Sequence, residues 1–310
     1  DLTQGQAVLL HYSVFSFSYR GLPLFTHGLL SALRGADVPL LSILHEYAYP
    51  WRRDGAVGLA WAGTQRAALV ELVQVSAAIT ATTESRAQWL RTRAWLPRRP
   101  VTVTPIFSNL PPGGGEPPHN PLPAIGIFGY TYGPAVARLI CAALRRLQDE
   151  GRPTRLLLIG APGPDSPAGE EWIRSAGAAG LASAPDFTGR RELAELAAAI
   201  GGCEVMLNAD PSGPSSRKTT LAAALASGRP VLALDGPARW ARLAESGAAL
   251  LVEPGERALA DALRVLIDDE GRREELGGRG AAFAAENMSP AKSAATVADT
   301  LRRLVDGRAS

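Results

Sequence analysis

Short apolar runs alternate with longer amphipathic stretches along nearly the whole chain. Each run is bounded by turn residues and is too short for a helix, so it predicts a buried strand. Each longer stretch repeats its apolar positions at helical spacing. In the first part the pattern predicts strands at 8–11, 40–44, 77–80 and 101–104, with helices at 22–33, 59–73 and 84–93. Further on, strands at 125–128, 156–159, 204–207, 231–234 and 249–252 alternate with helices at 134–149, 191–200, 216–227, 238–246 and 256–268. Helices at 271–285 and 290–306 close the chain. Strict alternation is the signature of parallel sheets with right-handed crossovers, and strands of such low polarity suit sheets covered on both faces.

The Pro/Gly density of 109–123 forbids both helix and central strand. It divides an N-terminal domain, 1–110, from a C-terminal one, 124–285, with 111–123 as linker. Residues 286–310 are expected to form a terminal helix that packs back toward the first domain. The expected architecture is α/β, with two doubly wound Rossmann-like domains facing each other across a cleft. Ligands bind at the carboxyl ends of the strands in such sheets.

The apolar fraction, 46% of 310 residues, supports real cores. The run 29–44 is broken by Arg34, Asp37 and Pro39, so no transmembrane helix is expected, and no signal peptide is seen. Cys141 and Cys203 lack metal or redox spacing, which suits a reducing cytoplasm. Net charge is +2, which does not suggest a nucleic-acid partner. Residues 1–110 nevertheless carry ten arginines against six acids, a net +4 that leaves −2 for the rest. A basic first domain fits either a solvated surface or peripheral contact with an anionic membrane. The chain opens at Asp1 without methionine and soon enters an apolar run, so a leading segment is expected to be missing.

The segment with most chemistry is 211–231, a Gly/Ser loop that opens an apolar helix, stops at Gly228 and feeds a strand. Arg217 and Lys218 are expected in the first helical turn, where cations oppose the macrodipole. A phosphate or diphosphate would relieve the conflict, because helix N-termini take anions. A Ser-capped helix with two solvated cations is the alternative. Gly213, Ser215, Ser216, Thr219 and Thr220 would supply backbone and hydroxyl donors, Ser216 also being a candidate N-cap. Gly129 and Gly160 follow strands and would let backbone approach a ligand, while Tyr130 or Tyr132 would stack on it; turn glycines and surface tyrosines are the alternatives. His45 and Glu46 end a strand and lead into an aromatic loop containing Tyr47. His11, Tyr12 and Arg20 occupy another strand-end loop. No Ser/His/Asp triad, P-loop, zinc spacing or Gly-x-Gly-x-x-Gly is present, and the four histidines are too scattered for a metal.

The residues Phe187-Thr-Gly189 with Glu192-Leu193, 203–208, 213–220 and 222–231 resemble the C-terminal half of retaining GT-B glycosyltransferases of family 4. Leu44-His45-Glu46, 83–90 and 101–105 resemble segments of that family's N-terminal half. The resemblance spans roughly 7–306 and depends on the order and spacing of motifs that are individually weak. It implies a nucleotide-diphosphate sugar held by the second domain and an acceptor held by the first. It also implies transfer with retention and no required metal or other cofactor. His45, Glu46, Arg217 and Lys218 would then be catalytic, and His11, Tyr12, Arg20 and Tyr47 would meet a sugar, glycolipid or small-molecule acceptor. Three departures count against simple transfer. The family's Glu-x7-Glu acids fall on Ser215 and Ala223; its Arg and Lys after the first C-domain strand are replaced by Gly129–Gly133; and its N-terminal glycine-rich turn is not seen. A subgroup with Ser-x-Arg-Lys in this loop would carry the lost cations at Arg217 and Lys218. A non-catalytic sugar-nucleotide or glycan-binding relative is the runner-up, and an epimerase of this architecture lacks supporting acids and bases. The expected location is cytoplasmic, with membrane-peripheral contact open.

Overall fold

The computed structural model describes residues 6–36, 38–51, 54–111 and 122–309. Most of the expected linker, 112–121, lies outside the described residues, as do the first five positions, Asp37, Arg52 and Arg53. By backbone contacts the chain divides into two units, 1–105 with 291–310, and 106–290.

In the first unit, β1 (Val8–Tyr12), β2 (Leu40–Leu44), β3 (Ala78–Ala81) and β4 (Val101–Val103) form a parallel sheet in chain order. Val8 pairs with Leu40, and Leu44 with Ala81. Helices α1 (Leu24–Gly35), α2 (Gly55–Val75) and α3 (Glu84–Thr92) provide the crossovers. Every residue of β2 and β3 is buried, as expected of strands covered on both faces. The one hydroxyl inside β2, Ser42, bonds Ser76 Oγ at 2.7 Å, and Ser76 in turn donates to Leu72 O. This satisfies polar atoms that would otherwise be costly to bury.

The second unit holds a six-stranded parallel sheet of order β10-β9-β8-β5-β6-β7. Its strands are β5 (Ala124–Phe128), β6 (Arg155–Ile159), β7 (Asp186–Gly189), β8 (Val205–Asn208), β9 (Val231–Leu234) and β10 (Leu250–Val252). The helices are α4 (Pro134–Asp149), α5 (Pro167–Ala179), α6 (Leu193–Gly201), α7 (Thr219–Ala226), α8 (Ala241–Ser246), α9 (Glu256–Asp268) and α10 (Glu270–Asn287). The final helix, α11 (Pro290–Ala309), belongs almost entirely to the first unit. One face of the sheet packs Ile140, Leu144, Trp172 and Leu263; the other packs Leu221, Leu225, Leu243 and Phe283. Cys141 and Cys203 are free thiols within these two layers.

Two elements escape the hydrophobic pattern. Helix α5 has few large apolar residues, but Ser166 caps it by accepting from Gly169 N–H at 3.0 Å, and Trp172 and Ala176 anchor it. Strand β7 is a mostly polar edge strand whose register with β6 shifts between Leu158 and Ile159. Helix α6 starts at Leu193, where Glu192 and Glu195 form a capping box. Helix α7 starts at Thr219 rather than 216, a shift that changes the reading of its cations.

Candidate functional site

The second sheet reverses between β5 and β8. From β5 the chain winds outward to β6 and β7, then returns to the other side of β5 for β8, β9 and β10. Loops leaving the two central strands turn opposite ways, the arrangement in which open α/β sheets take ligands.

After β5, Gly129 has a φ of +72°, and a Cβ there would lie 3.0 Å from Thr220 Cγ2. Glycine therefore lets this loop rest against the start of α7. Tyr130 turns inward and is fully buried. Its hydroxyl accepts from Gly163 N–H at 2.6 Å, its carbonyl from the Trp172 indole at 2.8 Å, and Phe187 meets its ring edge-on. Ligand stacking on Tyr130 is thereby overturned, because the ring belongs to the core. Tyr132 is the half-buried aromatic here; burial and the Asp210 carboxylate push its phenol up to about 12.

After β8, Asp210 dominates the loop. Its Oδ1 accepts from Ser212 N–H at 2.9 Å, its carbonyl from Gly213 N–H at 2.9 Å, and its Oδ2 lies 3.0 Å from Lys218 Nζ. Burial alone would raise its pKa, but the Ser212 N–H and Lys218 outweigh that and hold it below the ordinary carboxylate value. Asn208, which ends β8, is only 7% exposed, and its Oδ1 finds no hydrogen-bond partner among the described residues.

These contacts correct the sequence reading of the cations. Lys218 is the N-cap residue, with extended backbone, and Arg217 precedes it, so neither opposes the dipole from within the first turn. Lys218 is neutralised by Asp210, whereas Arg217 is exposed and has no ion pair or hydrogen bond with a described residue. Ser216 is not the cap. It is buried, and its carbonyl accepts from Ile106 N–H at 2.8 Å. No side chain caps α7, so the N–H groups of Thr219, Thr220 and Leu221 have no partner within the helix. Thr219 is exposed and Thr220 half-buried.

Gly213 serves packing rather than ligand approach. It is buried at φ +94°, and a Cβ there would lie 2.9 Å from the Gly236 backbone. Ala238 and Trp240 donate to the carbonyls of Ser212 and Pro214 at 2.6 and 2.7 Å, fixing one loop on the other. Ser215 is 7% and Ala223 4% exposed, so neither position offers a side chain where acids would be needed. Gly160, at φ +93°, has its N–H occupied by Thr188 Oγ1 at 2.9 Å.

In the first unit, the carboxyl ends of β1 and β2 bring His11 and His45 together. Their Nδ1 and Nε2 atoms lie 3.1 Å apart, with the rings stacked at 5.4 Å. Glu46 accepts from the Ser13 hydroxyl at 3.1 Å. Arg86 donates to the His45 carbonyl, and its guanidinium lies 5.3 Å over the Tyr47 ring. Burial, then His11 and Arg86, lower the His45 pKa against the opposing pull of Glu46. Tyr47 donates its hydroxyl to Arg86 O at 2.8 Å and packs on Trp89, so it serves the loop. Tyr12 is 1% exposed, its hydroxyl is buried without a partner, and burial raises its pKa to about 12. An acceptor contact for Tyr12 is overturned. Arg20 is exposed, 5.4 Å over Tyr19, while its carbonyl accepts from the Trp61 indole at 2.8 Å.

The sequence reading missed Asp210 and Arg86. Asp210 follows β8 in an Asp-Pro-Ser-Gly turn, a pattern that signals the turn but not the pairing with a lysine eight positions on. Among the described residues no group of three or more His, Cys, Asp or Glu could hold a metal ion, and no helix is long and apolar enough to cross a membrane.

Residues 123–269 match the profile of the family Glycosyl transferases group 1. No curated protein matches by sequence. Sucrose-phosphate synthase from Thermosynechococcus elongatus is similar in structure, with a TM-score of 0.70 at 19% identity over 96% of this chain and 74% of that one. Anabaena HepE in complex with UDP gives 0.68 at 16% identity, over 94% and 78%. The alpha,alpha-trehalose 6-phosphate synthase of Burkholderia multivorans gives 0.67 at 17%, over 97% and 71%. The chain therefore has the parallel α/β fold of GT-B glycosyltransferases, with two Rossmann-like sheets.

Proposed function

We propose that this protein is a glycosyltransferase that moves a sugar from a nucleotide-diphosphate donor to an acceptor hydroxyl with retention. The observation that carries the reading is the switch-point loop. Uncapped N–H groups of α7, the unpaired Arg217 and the Asp210-held Lys218 converge beside Gly129 and Tyr132. Such an array suits a diphosphate, with Arg217 as a planar bidentate donor. The match of 123–269 to a glycosyltransferase profile and the likeness to HepE, which was solved with UDP, support a nucleotide-sugar ligand.

In this mechanism the bond from the anomeric carbon to the diphosphate oxygen breaks as the acceptor oxygen forms its own bond on the same face. The leaving diphosphate takes the acceptor proton, so no side-chain base and no metal are required. Catalysis then depends on positioning and on stabilising charge at the phosphates. His11, His45 and Glu46 would orient sugar or acceptor hydroxyls in the first unit. A binding-only relative is favoured by one observation, the buried non-acidic residues at Ser215 and Ala223.

A thermal-shift panel of UDP, GDP, ADP and CMP, followed by a donor-hydrolysis assay, separates the readings. Ligand at 100 times its Kd should stabilise by about 2.7 kcal/mol. Arg217→Ala should lower kcat by about 10². Nucleotide binding without hydrolysis or transfer supports the binding relative, and no nucleotide binding sinks both readings.

A further inference from the structure

A cavity of about 300 Å³ lies in the first unit, bordered by Arg91, Arg93, Arg98 and Arg99 over a floor that includes Ile79 and Leu90. It is placed by the end of α3, the start of β4 and the beginning of β3, which is the amino-terminal edge of the sheet. His11, His45 and Glu46 lie at the opposite, carboxyl edge.

The four guanidiniums are not equivalent. Arg91 is braced by Glu84 Oε1 and by Val101 O, both at 2.8 Å. Arg99 donates to Gln74 O at 2.7 Å and Val73 O at 3.3 Å, where the carboxyl end of α2 leaves carbonyls unpaired. Those two have structural work. Arg93 lies 5.2 Å over the Trp89 ring, and Arg98 is exposed; neither guanidinium has a hydrogen bond or ion pair with a described residue. No carboxylate lines the cavity. With Arg91 already paired to Glu84, the guanidiniums of Arg93, Arg98 and Arg99 around one concave space still repel unless a further anion joins them, and planar guanidiniums match phosphate oxygens in pairs.

We propose that this pocket binds a phosphate monoester group, with Arg93 and Arg98 as its free donors and the apolar floor receiving the moiety that carries it. The site is separate from the transfer chemistry and does not rest on it. The phosphate can come from a soluble ester or from a lipid headgroup, and the shared chemistry is the dianion.

The test replaces both free donors, Arg93→Gln and Arg98→Gln, in an Arg217→Ala background that weakens phosphate binding at the switch-point loop. Titration with inorganic phosphate and co-sedimentation with phosphatidylcholine vesicles containing phosphatidic acid read the two sources. The substitutions should weaken one or both by about tenfold or more, while leaving the UDP thermal shift of the otherwise native chain unchanged. Phosphate binding so weakened points to a soluble ester; loss confined to the vesicles points to the lipid. Undiminished binding in the substituted protein, or no binding of either probe before substitution, overturns the proposal. A measurement on the native chain guards against misfolding. Phosphate should slow phenylglyoxal modification of Arg93 and Arg98, read by mass spectrometry, and equal rates with and without it count against the site.

Discussion

The 3.0 Å pair of Lys218 and Asp210 makes the two neighbouring cations chemically unlike. Arg217 meets solvent with its charge uncompensated, whereas Lys218 must share itself between Asp210 and any phosphate. The carboxylate's folded pKa lies below its ordinary 3.8, so the pair's stabilisation is complete above about pH 4 and fades as pH falls through the folded value. Asp210→Asn should therefore flatten the acid limb of a Tm-against-pH curve. Lys218→Ala, which leaves a buried carboxylate supported by the Ser212 N–H, should cost about 1–2 kcal/mol, discounted because the lysine is partly exposed. Unchanged denaturant midpoints in both variants would refute the pairing. His45 titrates below the ordinary imidazole value. Burial, His11 and Arg86 lower its pKa, so the folded imidazole stays neutral below the usual 6.5, and stability falls as pH drops from about 6.5, where the unfolded chain takes up the proton first, until the folded value is passed. An NMR titration should show this depression, and His11→Ala should move the midpoint upward; a midpoint at or above 6.5 in the native chain would contradict the burial.

At the scale of elements, two loops are set by glycines at positive φ where a Cβ would crowd a neighbour. Gly213 at φ +94° would bring a Cβ to 2.9 Å from the Gly236 backbone, so Gly213→Ala combines strain with a clash and should cost about 2–3 kcal/mol. Gly129→Ala meets only a methyl of Thr220 at 3.0 Å and should be milder, about 1–2 kcal/mol, but should weaken nucleotide binding by displacing the start of α7. Chemical denaturation of both variants, with and without UDP, checks the order. The apolar strands and their helices were legible from pattern because burial on two faces writes itself as runs such as 40–44 and 231–234. The polar edge strand β7 and the small-residue helix α5 were not, since their stability comes from a neighbouring strand and from Trp172. Likewise the loop at 211–218 was identifiable, yet the true start of α7 was not. The bonds that fix it involve Asp210, Ser212 and residues 236–240, which no local spacing reveals.

For the whole molecule, each unit carries its own sheet and its own apolar clusters. Domains with separate cores need not unfold together. Calorimetry should give a van't Hoff enthalpy below the calorimetric one, and UDP should raise the transition of the second unit. A single two-state transition, shifted as one by UDP, would show the units to be thermodynamically inseparable. The thiols supply a local gauge for this. Cys141 and Cys203 are buried on opposite layers of the second sheet, and both are pushed up to about 12. A Cβ at Gly126 would lie 2.5 Å from Cys203 Sγ, so little room is left around that sulfur. Alkylating reagents can reach either atom only after the surrounding layer has come apart, and the labelling rate of each sulfur then becomes a clock for its own side of the sheet.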